Sequence, residues 1–519
     1  MESSRGNLTV HETALNNPII LTEILKQRSA PLKTCRLVSH FWNEIALSLT
    51  HPRIGLKPNP IFENESTSIH DSCHTFDARL AKMICVVFTR VGPLDSFASE
   101  VTNLCAKFTN LIHILDLTVD QEFYMKTILH ILQNFCPNLK QFRLTCTFFA
   151  CSTRRNPAPE EEQVPLSLKP NLTSFTLSVR NVAPLFPSFA QLVVNAAPNL
   201  GKVTLPMGVC PDLGHSTQLD SLTIALDATK PSGPIAQEDC RKLSELSRML
   251  DQVRDQLVHL NICCVNDSGI KWVNERYDYG SLPQKVGFQL PRRMWKLERL
   301  RNETLHTFQC SDLFQNVENV PVLSTLVIGK TFKDSRWVHE ILRNVCESNN
   351  VLGSMRDLTI IEAHDASLLA GLVTAFPNLE RLKVDTFYRM DFRGDMSGME
   401  LGVVLKVCAG WKRLKHLNLA LSTYPEQIGD VIKALVDARE LYMGLSRLEI
   451  MTYDGDADVA HDLSEDEMSL TKVLLTAMSE MSHVKISNLN FSKASAEVIL
   501  DFMAVNDMPL WQFNIIKVE

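Results

Sequence analysis

Apolar and polar positions along this chain follow two periods that take turns. Segments reading apolar, two free positions, apolar, one free position, apolar recur, as in NLKQFRL, NLTSFTL, NLGKVTL and NLERLKV, which follow Pro137, Pro170, Pro198 and Pro377. Fifteen such segments start at Met83, Ile112, Leu139, Leu172, Leu200, Leu219, Leu257, Leu305, Leu323, Met355, Leu379, Leu414, Leu445, Met481 and Leu510. In a strand, successive side chains alternate faces, so the third and fifth positions must point away from the core. Among those positions only Cys85, Val87, Ile114 and Val327 are apolar, where a chain that is 45 % hydrophobic would place about 13 or 14 by chance. The alternation predicts strands.

Between them the period becomes that of a helix. Met125, Ile128, Leu129, Leu132 and Cys136 recur at helical spacing, as do Leu368, Leu369, Leu372 and Phe376, and Val473, Leu474, Ala477 and Met481. Proline after the helix, in FCPNL, AAPNL and AFPNL, stops it and sends the chain into the next extended segment. The result is a parallel coil of strands and helices. No single unit can bury its own apolar face, so each depends on stacked neighbours.

Residues 76 to 519 resemble the leucine-rich-repeat family, on the L-x-x-L-x-L pattern and a mean spacing of about 30 residues. The resemblance implies an α/β solenoid of parallel strands with intervening helices. The family's Asn or Cys three residues after the last strand leucine is mostly replaced, for example by Thr147, Ser422 and Tyr453, so that turn must be held differently. Spacings run from 18 to 48 residues, and Asp267 to Asn302 is expected to be an excursion from the coil.

Upstream, the stretch TCRLVSHFWNEI places Leu37, Val38, Phe41, Trp42 and Ile45 at helical spacing and predicts an amphipathic helix. Residues 15 to 49 resemble an F-box in five ordered elements: Pro18 with Ile19, Ile20 and Leu21, then Ile24-Leu25, then Leu32, then Arg36-Leu37-Val38, then Trp42-Asn43. The resemblance implies a small all-α domain over 12–50, joined to the solenoid by a linker over 51–75. It also implies a partner, the Skp-type adaptor of a cullin-RING (SCF-type) ubiquitin ligase. Adaptor contact falls to Pro18, Ile19, Ile20, Leu21, Ile24, Leu25, Leu32, Leu37 and Val38, with Trp42 as packing anchor. Arg28 and Pro31 depart from the motif, standing where an apolar and an acidic residue are usual. Three short helices cannot bury all these apolar residues within themselves, which also calls for a partner. The alternative is a cap over the first repeat's open edge, which would make the chain a leucine-rich-repeat interaction scaffold without ligase association.

Composition narrows the classes. The 519 residues are too many for one ordinary core and, at 21 % charged, too apolar for a disordered chain. A net charge of −7 with no Lys/Arg block argues against nucleic-acid binding. No basic segment leads into an apolar run and no 18-residue apolar stretch occurs, so neither a secretory signal nor a membrane span is expected. The expected place is cytoplasmic, nuclear or both. The 14 cysteines are dispersed and read as reduced, mostly buried small hydrophobes; the five N-x-[ST] sites then carry no sugar.

No nucleophile elbow, P-loop, H-E-x-x-H or paired Cys/His ligand set is intact, so neither enzyme chemistry nor a cofactor is expected. His70, Cys73 and His74 come nearest to a metal cluster but lack a fourth ligand, and no metal is expected. The acidic stretch Asp454 to Glu467 and the stretch Arg154 to Pro165 read as solvated loops, with Ser464 and Glu467 fitting a capping box. More informative are the outward strand positions Arg381, Lys383, His416, Asn418, Arg447, Glu449, His483 and Lys485. Stacked parallel strands place them on the face solenoids use for binding, and the basic excess favours a target with exposed carboxylates or phosphates. The expectation is a substrate-recognition adaptor: the F-box docks on the ligase, the repeats hold a protein target, and proximity does the work.

Overall fold

The computed structural model describes residues 14–27, 32–49, 54–56, 81–88, 94–147, 165–179, 184–227, 237–265, 290–303, 317–329, 336–348, 350–361, 363, 365–386, 399–421, 427–452, 460–486, 489, 491–508 and 513–514. The chain divides into two compact units, Met1–Gln218 and Leu219–Glu519. Both are α/β, and both are built of parallel strands paired in chain order.

The first unit begins with three short helices, α1 (Pro18–Leu25), α2 (Leu32–Cys35) and α3 (His40–Ser48). Asn17 starts α1, its Oδ1 accepting from the Ile19 and Ile20 amides, with Pro18 where a missing N–H costs nothing. The single helix expected across residues 34 to 45 is broken. The chain turns at residues 36–38 and Ser39 caps a new helix by accepting from the Trp42 amide at 3.1 Å. Leu37 and Val38 therefore lie in the turn, while Phe41, Trp42 and Ile45 lie on α3 and pack on a small core of Leu21, Leu25, Ala46 and Leu49.

The strands of this unit are β1 (Ile54–Leu56), β2 (Met83–Phe88), β3 (Ile114–Val119), β4 (Gln141–Cys146), β5 (Ser174–Val179) and β6 (Lys202–Pro206), with α4 (Leu94–Lys107), α5 (Tyr124–Asn134) and α6 (Leu185–Ala196) between them. The 51–75 segment expected as a linker thus holds a strand, β1, which pairs with β2. Inward positions line up across the ladder as Ile84, Leu115, Phe142 and Phe175, with Val203 next, all at most 1 % exposed. The β2 register differs from expectation by two residues: Ala81, not Met83, fills the slot of Ile112, because Ile84 aligns with Leu115. A two-residue shift leaves the faces unchanged.

The second unit contains β7 (Ser221–Asp227), β8 (His259–Val265), β9 (Arg299–Asn302), β10 (Thr325–Gly329), β11 (Asp357–Ile361), β12 (Arg381–Asp385), β13 (His416–Leu421), β14 (Arg447–Thr452), β15 (His483–Ile486) and β16 (Phe513–Asn514). Its helices are α7 (Gln237–Val253), α8 (Arg336–Glu347), α9 (Ala366–Ala375), α10 (Leu401–Cys408), α11 (Ile428–Asp437), α12 (Arg439–Tyr442), α13 (Glu465–Ala477) and α14 (Lys493–Val505). The strand that pairs with both β8 and β10 is β9, Arg299–Asn302, ahead of the segment expected from Leu305, which lies outside the described residues, and its second inward position is Asn302, 0 % exposed. A polar residue there defeats a search for apolar triplets.

The repeated Pro-Asn-Leu has a mechanical reason. Its leucines, Leu139, Leu172, Leu200 and Leu379, are buried. Its asparagines tie one coil to the previous one: Asn138 Nδ2 donates to the Asn110 carbonyl, Asn199 to that of Pro170 and Asn378 to that of Gly353, each at 2.9 Å. These bonds give three of the coils a polar staple beside the apolar contact, while Asn171 Nδ2 donates instead to Asn138 Oδ1 at 3.5 Å. Two buried donors do similar work at helix ends. Lys169 Nζ donates to the Phe135 carbonyl at 2.8 Å after α5, and Trp411 Nε1 to the Phe376 carbonyl at 3.0 Å after α9. Both acceptors are C-terminal carbonyls without a partner in their own helix.

Five of the cysteines described, Cys105, Cys136, Cys146, Cys263 and Cys408, are buried free thiols, and burial pushes Cys146 and Cys408 up to about 12. Cys146 and Cys408 are inert packing groups. The expected capping box is formed, Ser464 and Glu467 each bonding the other's backbone at the start of α13. Among the described residues no helix is long and apolar enough to cross a membrane. His70, Cys73 and His74, Arg28, Pro31, the segment 266–289 and most of Arg154 to Pro165 lie outside the described residues.

Candidate functional site

Two surfaces carry the residues singled out by sequence. On the N-terminal helices the apolar set splits. Leu21 and Leu25, four apart on α1, face inward at 0 % and 2 % exposure and belong to the helical core, so their expected place on the docking surface is corrected. Ile19, Ile20, Ile24, Leu37 and Val38 remain exposed, Leu37 at 86 % and Ile19 at 74 %. Pro18 is exposed at the first helical position. Trp42 is half-buried against the core, where a packing anchor belongs. Leu32 lies in α2. Arg36 braces the turn, its Nε donating to Asn43 Oδ1 at 2.8 Å. Leu15, on the same segment, is exposed as well. Water-facing isoleucines and leucines at this density mark a surface that gains by being covered.

The second surface lies in the second unit. Strand pairing places the third-position residues in one row, Arg299, Thr325, Asp357, Arg381, His416, Arg447 and His483. The fifth-position residues form another, Arg301, Val327, Thr359, Lys383, Asn418, Glu449 and Lys485. An open cleft of about 390 Å³ lies over them, lined by Arg299, Thr325, Asp357, Leu358, Thr359, Arg381, Leu382, Lys383, His416, Leu417, Asn418, Arg447 and Glu449. Six of the eight expected target-facing residues line it. His483 and Lys485 do not, although His483 Nε2 stands 3.4 Å from Glu449 Oε1 at the cleft's border.

The ion pairs in the cleft run between neighbouring positions. Arg381 pairs with Asp357 across β12 and β11, and Thr325 Oγ1 donates to the same carboxylate at 3.3 Å. The hydrogen bond that Arg381 donates to Asp357 holds its guanidinium above its usual range, against the opposing effect of burial. Arg447 Nε donates to Glu449 Oε1 at 2.9 Å, and Asn418 Nδ2 donates to Glu449 Oε2. Burial pushes the Glu449 carboxyl up; the Arg447 hydrogen bond and the charges of Arg447, His483 and Lys485 outweigh it and leave Glu449 below the usual carboxylate range. Burial, with Arg381 on one side and Arg447 on the other, holds His416 below the ordinary histidine value despite Asp357. Its imidazole is neutral near pH 7.

Sequence reasoning missed Arg299, Thr325, Asp357 and Thr359. Arg299 was lost with the register of β9. The other three sat in plain view as outward positions of correctly placed segments, but counting cations gave no reason to single them out. Asp357 changes the picture most, because it ties down one of the arginines taken as available. The lining sets Arg299, Arg381, Lys383 and Arg447 against Asp357 and Glu449, an excess of two positive charges. Arg299 makes no ion pair among the described residues, and Lys383 reaches Asp385 only at 3.9 Å.

No protein-family model matches the chain, and comparison with curated proteins gives no match.

Proposed function

We propose that the chain is a substrate-recognition adaptor of a cullin-RING ubiquitin ligase, an F-box protein whose leucine-rich repeats hold the target. The observation that carries the reading is the division on the N-terminal helices. Leu21, Leu25 and Ala46 make a closed core, while Ile19, Ile20, Ile24, Leu37 and Val38 stay outside it. A helical cap that served only its own chain would turn such residues inward. A docking module keeps them for a partner helix surface. The open polar cleft in the second unit supports the target-holding half, because solenoid strands present their outward rows to ligands. No side chain need react. Holding a target near the ubiquitin-charged enzyme raises its effective concentration.

Co-purification with a Skp-type adaptor tests the reading. Leu37→Asp changes an 86 % exposed side chain, so far-UV circular dichroism is expected to stay unchanged while adaptor capture falls. Wild-type chain that captures no adaptor, or equal capture by Leu37→Asp and Ile19→Asp, would overturn it.

A further inference from the structure

Away from both surfaces, the first unit holds a buried pair of thiols. We propose that Cys105 and Cys136 are a site of reversible oxidation, which a hydroperoxide closes into a disulfide bridging two successive coils. Neither thiol belongs to the N-terminal docking surface or to the cleft.

The fold brings the two sulfurs together. Cys105 lies in the last turn of α4, and Cys136 follows the end of α5, one coil later. Asn138 Nδ2 reaches back to the Asn110 carbonyl at 2.9 Å, so the turn after α5 sits against the turn after α4. Cys105 and Cys136, both 0 % exposed, meet there as a hydrogen-bonded pair of thiols. Cys146 and Cys408 are raised by burial alone, whereas Cys105 is held above the usual thiol range first by its hydrogen bond with Cys136 and then by burial.

The backbone at Cys136 is unusual as well. Ala197 and Phe376 occupy the same place, just before Pro198 and Pro377, with φ of −123° and −126°. Cys136, just before Pro137, has φ 60°, and among the described residues other than glycine only Asp507 shares that sign. The left-handed region at a helix end suits glycine or asparagine, so a cysteine kept there points to a use for its sulfur.

A third group prepares the chemistry. Lys169 is 3 % exposed, donates to the Phe135 carbonyl at 2.8 Å, and interacts through its charge with Cys136. A buried cation beside one sulfur of the pair balances the negative charge which that sulfur carries during attack. Cys136 therefore reacts first. Its S–O bond forms as the peroxide O–O bond breaks, and the leaving hydroxide takes up the thiol proton and departs as water. The Cys105 sulfur then attacks the sulfenic sulfur; the S–S bond forms, the S–O bond breaks, and a second water leaves with the Cys105 proton. The two thiols give up two electrons and two protons, and the peroxide takes them. Burial of both sulfurs selects an oxidant of nearly water size, hydrogen peroxide, over bulky disulfides.

The test exposes the reduced full-length chain to hydrogen peroxide without denaturant, blocks the remaining thiols with N-ethylmaleimide on unfolding, and maps the peptides by mass spectrometry. The expected result is a linked Cys105–Cys136 peptide that disappears on treatment with dithiothreitol, while Cys146 of the same unit stays alkylated. With dimedone present, Cys105→Ser should collect the sulfenic adduct on Cys136, and Cys136→Ser should show none on Cys105. Circular dichroism checks both variants, and the wild-type map decides the pairing even where a variant fails to fold. Closing the bridge removes conformational freedom from the unfolded chain, so the oxidised protein should unfold at higher denaturant than the reduced one. Cys105 and Cys136 alkylated as fully as Cys146, either sulfur linked chiefly to another cysteine, a dimedone adduct on Cys105 in Cys136→Ser, or an oxidised chain that unfolds before the reduced one would overturn the proposal.

Discussion

The two units share an inward face and differ on the outward one. Inward, Ile84, Leu115, Phe142 and Phe175 of the first unit match Leu358, Leu382, Leu417 and Leu448 of the second in place and burial. Outward, the first unit's rows read Met83, Ile114, Gln141, Ser174 and Lys202, then Cys85, Asp116, Arg143, Thr176 and Thr204. Their one ion pair among the described residues, Arg143 with Asp116, spans 3.9 Å. The second unit carries a chain of paired and unpaired charges in the same positions. One architecture thus carries two kinds of position: inward rows that hold the coil together in both units, and outward rows in which the two units differ.

The sharpest way to break that separation is to empty the inward face. Phe142 stacks on Phe175 with ring centroids 5.7 Å apart, and Leu417 is 1 % exposed between Leu382 and Leu448. Phe142→Ala should cost about 3–5 kcal/mol and Leu417→Ala about 2–5 kcal/mol, through lost burial and the cavity left behind. Denaturant unfolding followed by circular dichroism measures both. If the units are equivalent inside, each change lowers the midpoint of its own unit; a silent Leu417→Ala would show that the second unit's order depends on its outward charges instead.

These inward rows were also what the sequence displayed most plainly. Strands β3 to β8 and β10 to β16 fall on their expected segments, because burial demands apolar residues at fixed offsets whatever else the chain does. The failures have local causes. Asn302 fills an inward slot and hid β9, three residues of Ile-Gly-Leu were too few to announce β1, and Ser39 broke a helix whose apolar spacing ran straight through it. The outward cleft was legible only in part. Its residue types could be read off the strands, but which cations are tied up depends on pairing across strands that are 24 to 35 positions apart in the chain, as Arg381 with Asp357 and Lys415 with Glu380 are. The asparagine staples show the same limit: the tripeptide was visible, its acceptors were not.

A smaller effect comes from the buried donors at helix ends. Trp411→Phe keeps most of the apolar bulk and removes one of two donors to the Phe376 carbonyl, which still accepts from the Leu379 amide at 3.3 Å, and should cost about 0.5–1.5 kcal/mol. Lys169→Met removes the donor from the Phe135 carbonyl in the first unit but also relieves the burial that lowers this lysine's proton affinity. The loss there should be smaller than at Trp411. Thermal melts of the two variants compare the units directly, and a larger loss for Lys169→Met would contradict the assignment of a desolvation cost to that ammonium.

The gentlest probe is acid, and it separates the outward faces. His416 in the second unit and His113 in the first both titrate below the ordinary value of 6.5, mainly through burial, with nearby cations adding to it. A group whose folded value is depressed contributes stability above its unfolded value and loses it as pH falls through the folded one. Both units should therefore soften as pH falls below about 6.5. Carboxylates then distinguish them. Asp365, Glu380, Glu449 and Glu467 of the second unit all sit below their ordinary range; Glu467 is held there mainly by the Ser464 amide, and Glu380 mainly by Lys415. Their contribution is complete above the ordinary carboxylate range and disappears as they take up protons in the folded state. Hydrogen exchange read by mass spectrometry should show His416→Gln and His113→Gln each flattening the loss of protection below pH 6.5 in its own unit. Below pH 4.5 the second unit should lose protection ahead of the first. The reverse order would mean that the outward ion pairs of the cleft are solvated decoration, and that the difference between the two faces has no energetic content.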